Sequence, residues 1–300
     1  MPRLARCLLA LALSGLPLAA VAGCPPEGRD RASLQAFKAD GFALADDAAR
    51  QALALALLDC LGDPDPALRD GVAYEGLATW LRADALAPGT RQALLERLLA
   101  RVASAAPDAD GFQAPFAALV LSEVARTDRI APWLTPAQRA VLVETAADYL
   151  ERVRDYRGYR DGEGWRHGVA HGADLLMQLA LNPALDKAQL DRLLAAAARQ
   201  VAPSTHAYVH GESERLVRPV VFVLRRGLHD EAEWTAWVAG IASPAPLSSW
   251  AEALGSEAGL ARRHNLRLFL LALHAALRES GDPALEARLP PVRAALSSVP

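Results

Sequence analysis

Apolar residues recur along this chain at helical spacing. The clearest instance is "GTRQALLERLLARVA", where Leu94, Leu95, Leu98, Leu99 and Val102 gather on one side. The same period predicts helices in "ASLQAFKADGF", "DDAARQALALALLDCL", "FQAPFAALVLSEVART" and "TPAQRAVLVETAADYLERVRDY". It continues through "WRHGVAHGADLLMQLAL", "DKAQLDRLLAAAARQVA", "SERLVRPVVFVLRRGL", "EAEWTAWVAGIA", "GLARRHNLRLFLLALHAALRE" and "PALEARLPPVRAALSS". Gly, Pro, Asp and Asn punctuate the joints. No segment alternates residue by residue as a half-buried strand would, so the pattern predicts an all-α fold with no sheet. The longest apolar run, "LRLFLLALHAAL", is interrupted by Arg267 and His274 and reads as a buried helix, not a membrane span.

The break "GDPDP" carries its own helix start, with Asp65 placed to cap and Pro66 at the first position, where a missing N–H costs nothing. Thr135 and Pro136 repeat the arrangement. The stretch "LLDCLGDPDPALRDGVAYEGLATWL" resembles a HEAT-type unit, one helix, a turn and a second helix with Arg69 and Asp70 placed to tie neighbouring repeats. One such unit cannot bury its face alone, so stacked neighbours are expected. The expectation is a HEAT-like helical-repeat array, an α-solenoid or α-α superhelix, formed by residues 23–300 as a single domain.

Residues 1–22 depart from this pattern. Arg3 and Arg6 precede the apolar "CLLALALSGLPLAA", and Ala20-Val21-Ala22 forms an A-x-A cleavage signal. This reads as a secretory signal peptide and predicts export to the periplasm or to an envelope-anchored position in a bacterium. "VAGC" also resembles a lipobox, which would make Cys24 a lipid anchor. After loss of Cys7 only Cys24 and Cys60 remain, an even number in an oxidising compartment, and a disulfide is the rival fate. Closing that loop would contribute roughly 4 kcal/mol by restricting the unfolded chain. The formal charge of −3, with no basic stripe, excludes nucleic acid as a partner class.

Candidate chemistry concentrates in "DYRGYRDGEGWRHGVAHGADLL", residues 155–176. On a helical wheel His167, His171, Asp174 and Gln178 share one stripe. Two imidazoles at i, i+4 with a carboxylate at i+7 can share a divalent metal such as zinc. Gly168 stands where the metalloprotease pattern HExxH needs its Glu, so a further ligand would have to come from Asp155, Glu163, Glu212 or Glu214. Arg157 can clamp an anion or tie down Asp155, and Trp165 can stack on a ring or wedge two helices apart. A second cluster, "HGESERLVRP", supplies Glu212, Glu214, Arg215 and Arg218, with Glu214 and Arg218 spaced as an i, i+4 pair. No nucleophile elbow, P-loop, CxxC or GxGxxG pattern occurs in the mature chain.

"GFQAPFAALVLSEVARTDR", the 155–176 stretch, "HGESERLVRPV" and "HNLRLFLLALHAAL", in this order, resemble the bacterial domain-of-unknown-function family 2785. With "LGDPDPALRDGVAYEGL" the resemblance covers most of the mature chain. Its most specific series falls on Asp155, Arg157, Gly158, Gly164, Trp165, His167, His171, Gly172 and Asp174, and a second on Glu212, Glu214 and Arg215. The resemblance implies an all-helical, HEAT-like array with these clusters as characteristic features, and no known activity. The leader, the Cys24/Cys60 pair and the Ala114-Pro115 step depart from the family pattern.

Two functions follow from these residues. The first is a non-catalytic scaffold or binding module whose groove, lined by Arg157, Trp165, His167, His171, Asp174, Glu212 and Arg215, takes a peptide, glycan or small anion of the cell envelope. The second is a hydrolase using His167 or His171 with Asp174 and Glu212 or Glu214, with or without a metal.

Overall fold

The computed structural model describes residues 23–104, 106 and 108–300; the expected leader lies outside them. Helices α1 (Arg31–Ala39), α2 (Asp47–Ala56), α3 (Pro66–Leu68), α4 (Glu75–Arg82), α5 (Pro88–Ala103), α6 (Gln113–Ile130) and α7 (Pro136–Arg152) lead to a short hairpin. After it come α8 (Gly168–Ala180), α9 (Lys187–Val201), α10 (Glu212–Arg225), α11 (Glu231–Ile241), α12 (Glu257–Arg278), α13 (Pro283–Glu286) and α14 (Leu289–Ser298). Their starts are set by local chemistry. Asp65 accepts from the Ala67 amide with Pro66 at the first position, and Thr135 forms a reciprocal capping box with Gln138.

Successive even-numbered helices lie side by side, α4 on α6, α6 on α8, α8 on α10 and α10 on α12, while α5, α7 and α9 form a second row against them. One connected apolar core runs from Leu34 to Val299. No described helix is long and apolar enough to cross a membrane. Cys24 and Cys60 sulfurs stand 2.09 Å apart, at disulfide-bonding distance, joining the entry segment to the 3₁₀ turn Leu57–Gly62.

Two departures from the helical reading position the site. The expectation of no sheet fails at residues 159–165, where β1 (Tyr159–Arg160) and β2 (Gly164–Trp165) pair antiparallel, Tyr159 opposite Trp165. Gly162 and Gly164 at positive φ turn the chain back on itself there, a conformation that other residues resist. The helix after Asp65 is also interrupted, because Arg69–Tyr74 adopts a π-helical turn between α3 and α4.

Buried polar residues fasten the rows. Asp128, 1% exposed, receives Arg139 Nε at 2.7 Å, Asn182 Nδ2 at 2.8 Å and the Trp133 and Leu134 amides at 2.9 and 2.8 Å. Burial works to raise its pKa, but Arg139 and these amides outweigh it and hold the carboxyl below its ordinary value. A depressed folded pKa gives stability that is present above the ordinary value of 3.8 and lost as pH falls through the folded one. Asn265 does similar work for the loop before α10, accepting from the Tyr208 amide at 2.8 Å and donating to the Pro203 and His206 carbonyls. Asp128→Ala strands Arg139 and is expected to cost about 3–5 kcal/mol in urea unfolding at pH 7. A loss below ~1 kcal/mol, the value of an exposed pair, would contradict the role given to this carboxylate.

Candidate functional site

The site is assembled from the hairpin outward. Arg69, fully buried by the π turn, donates through Nη1 to the Asp63 carbonyl at 2.9 Å and through Nη2 to the Glu163 carbonyl at 2.8 Å, fixing the hairpin tip. Its Nε lies 2.7 Å from an Asp70 carboxylate oxygen. The Arg69 and Arg166 guanidinium carbons stand 3.8 and 4.2 Å from the centre of the Phe112 ring. Arg166 also donates to the Asp110 carbonyl and to Glu163, both at 2.6 Å. Gly158 is required by a close approach, since a Cβ there would stand 1.9 Å from His210 Cδ2.

The chain enters α8 through His167, which adopts a left-handed conformation at φ 57°. Such strain in a non-glycine residue persists only where its surroundings over-determine it. Here Nε2 donates to the His210 carbonyl at 3.0 Å, which fixes the neutral tautomer with the proton on Nε2. The ring stacks on Trp165 with centroids 4.5 Å apart and planes at 17°. His171 follows within α8, 5.8 Å from the His167 ring and edge-on to Phe116 at 5.1 Å.

From the other side comes α10. His210 donates its amide to Glu212 at 2.9 Å, and His210 also meets Trp165 edge-on at 5.8 Å. Arg215 is ion-paired with Asp174, and Arg218 Nη1 lies 3.9 Å from the other oxygen of the same carboxylate. Between α8, α10 and the earlier segment opens a hollow of about 640 Å³. Trp165, His167, His171, His210, Gly211, Glu214, Arg215 and Arg218 line one part of it; Asp70, Tyr74, Glu75, Phe116 and Leu119 line the rest.

The expected residues divide between this hollow and structural pairs. Trp165, His167, His171, Glu214 and Arg215 share its wall. Asp155 and Arg157 do not; they clasp each other, Arg157 Nε to Asp155 Oδ1 at 2.8 Å, packed where a Cβ on Gly111 would collide. Asp174 stands behind the wall as the shared acceptor of two arginines, and buried Glu212 caps the chain turn at His210. The i, i+4 pairing of Glu214 with Arg218 gives way to Arg218 leaning toward Asp174. The candidate metal set His167, His171 and Asp174 is not brought together as a ligand cluster among the described residues. His167 lies outside α8 in a left-handed cap and so leaves the helical stripe, Asp174 is taken by arginine, and among the described residues no three His, Cys, Asp or Glu converge as a metal site. Asp70, Tyr74, Glu75 and His210 were not among the expected residues.

Burial governs the electrostatics of the wall. It pulls His171 down to about 3, helped by the charges of His167 and Arg215, and it lowers His167 against the raising pull of Glu212. Burial pushes Asp70 up, opposed by Arg69, and raises Tyr74. Near neutral pH the imidazoles of His167 and His171 are uncharged, and Arg215 and Arg218 bring guanidinium groups to the hollow.

A mostly helical fold with one hairpin holding two imidazoles beside paired arginines defines the kind of protein this is. The chain belongs to the family described as "Protein of unknown function (DUF2785)", whose model matches residues 98–275. No curated protein and no solved structure matches it.

His171 and His167 stay neutral in the fold but accept protons once unfolded, near 6.5. The unfolded chain therefore binds more protons below that pH, so their contribution to stability falls on acidification from about 6.5 toward 3. His171→Phe is expected to flatten the dependence of the urea midpoint on pH between 7 and 5. A wild-type midpoint that does not decline over that window, or an unaltered slope in the variant, would contradict the assignment.

Proposed function

We propose that this chain is an exported, non-catalytic binding module, a HEAT-like helical array whose polar hollow takes a peptide, glycan or small anion of the cell envelope. The alternation of helices between two rows supports the array reading. The observation that carries the binding reading is the convergence of Trp165, His171, Arg215 and Arg218 on one hollow of about 640 Å³, within the range of roughly 300–1,000 Å³ typical of ligand sites. Its wall combines an apolar floor, Phe116 and Leu119, with a few placed polar groups, the composition that orients a guest. No specific observation favours the hydrolase alternative. Asp174 and Glu212, two of its candidate acids or bases, are occupied by arginines and by a backbone amide.

The test is a thermal-shift panel on the mature protein with peptides, oligosaccharides and small anions. One class should raise Tm in a concentration-dependent way, and Trp165→Ala, at a residue already 37% exposed, should remove the response in a variant whose circular dichroism shows it still folded. A panel without any shift, or a shift indifferent to Trp165→Ala, overturns the reading.

Export is supported by the leader pattern together with the paired sulfurs of Cys24 and Cys60. A cysteine in a disulfide has no thiol to acylate, so the pair favours a disulfide over a lipid anchor. Intact mass of the protein from its native host is expected to begin after the leader, carry no acyl group, and rise by the mass of two hydrogens on reduction. A lipid on Cys24 would reverse this choice.

A further inference from the structure

We propose that the guest of the hollow is a ring-bearing monocarboxylate, held through its carboxylate by Arg218 and Arg215 with its ring against Trp165. The inference rests on the hollow being a binding site. Asp70 is matched by buried Arg69 at 2.7 Å, and Glu75 by Lys38 at 2.9 Å. Across from them Asp174, 11% exposed in its side chain, faces two guanidinium groups. Arg215 satisfies that carboxylate directly; Arg218, with 51% of its side chain exposed, reaches it only at 3.9 Å. Arg218 is therefore the guanidinium on this wall without a close carboxylate partner, and its planar donors match a carboxylate bidentately.

Glu214 stands at the edge of the same hollow as a negative charge. Its charge formally balances that of Arg218 and disfavours a guest with two negative charges, such as a phosphate monoester. Beside the arginines, Trp165 is part-exposed and braced by His167 on one side and Tyr159, with ring centroids 5.1 Å apart, on another. A braced indole loses little freedom when a ring packs on it. His171 adds a neutral imidazole to the wall.

The carboxylate and the ring can belong to a sugar acid or to an aromatic acid, and calorimetric titration of the mature protein separates them. The probes are glucuronate with glucose as its uncharged counterpart, benzoate with benzamide, and glucose 6-phosphate. At least one acid should bind about tenfold or more tightly than its neutral counterpart, in keeping with a charge-assisted hydrogen bond. Which acid does so identifies the source. Arg218→Gln, at an exposed position, should erase that difference, and Glu214→Gln should tighten acid binding a few-fold, both with unchanged circular dichroism.

Equal affinity for the neutral counterpart, persistence of the preference in Arg218→Gln, or tighter binding of glucose 6-phosphate overturns the monocarboxylate assignment and leaves the hollow as a binding site. Absence of binding by all five probes also overturns it. The broader reading then stands or falls separately on the thermal-shift panel and Trp165→Ala.

Discussion

The site depends on one buried charge. Arg69 is removed from water entirely, and a guanidinium cannot shed its proton to escape the cost. Its stability in the interior comes from the neighbours that replace its hydration: Asp70 beside Nε, the Asp63 and Glu163 carbonyls on its terminal nitrogens, and the face of Phe112. Those partners come from three separate parts of the chain. Satisfying Arg69 therefore fixes, in one place, the π turn that carries Asp70, the entry to α6 at Phe112 and the tip of the hairpin at Glu163.

From the hairpin tip the consequences pass along the backbone. Glu163 held by Arg69 and Arg166 sets the register that puts Trp165 opposite Tyr159, and Trp165 then gives His167 a surface to stack on. The left-handed turn at His167 is tolerated because its ring is held on both sides, by the stack and by the His210 carbonyl. Gly158, lying close against His210, lets the two segments meet. The same chain of contacts delivers His210 and Gly211, just before α10, to the hollow, so its two walls are coupled through aromatic and backbone contacts more than through ion pairs.

Much of the fold was legible in the sequence because helices advertise themselves locally. Asp65-Pro66 and Thr135-Pro136 start helices where their capping chemistry says they should, and the apolar period gives the remaining segments. The π turn was not legible: reading "ALRDGVAYEGL" at 3.6 residues per turn hides the extra residue that rotates Arg69 inward and Asp70 toward the hollow. The hairpin escaped for a related reason, since two residues per strand are too few to show alternation, although Gly158, Gly162 and Gly164 marked the bend. In the site, Trp165, His167, His171 and Arg215 were found because their residue types stand out. Asp70, Tyr74 and Glu75 come from some ninety residues earlier, and only the three-dimensional packing brings them near. Wheel geometry placed Asp174 with the histidines, but it could not anticipate that α10 would present two arginines to it.

This distribution of partners argues for recognition over proton chemistry. General acid–base catalysis needs ionisable groups of separated pKa converging on one reachable point. Here two of the candidate carboxylates are engaged, Asp174 by Arg215 and Glu212 by the His210 amide, and His167 has its Nε2 proton committed to a carbonyl. Burial keeps His171 neutral well below physiological pH, so it offers a hydrogen-bonding edge and not a titrating one. Of the two guanidinium groups on the wall, the more exposed and less completely paired is Arg218, a residue whose pKa is too high for proton transfer but whose planar donors suit an anion. Under the proposed binding role, Trp165, the neutral His167 and His171, and the loosely paired Arg218 would together orient a guest.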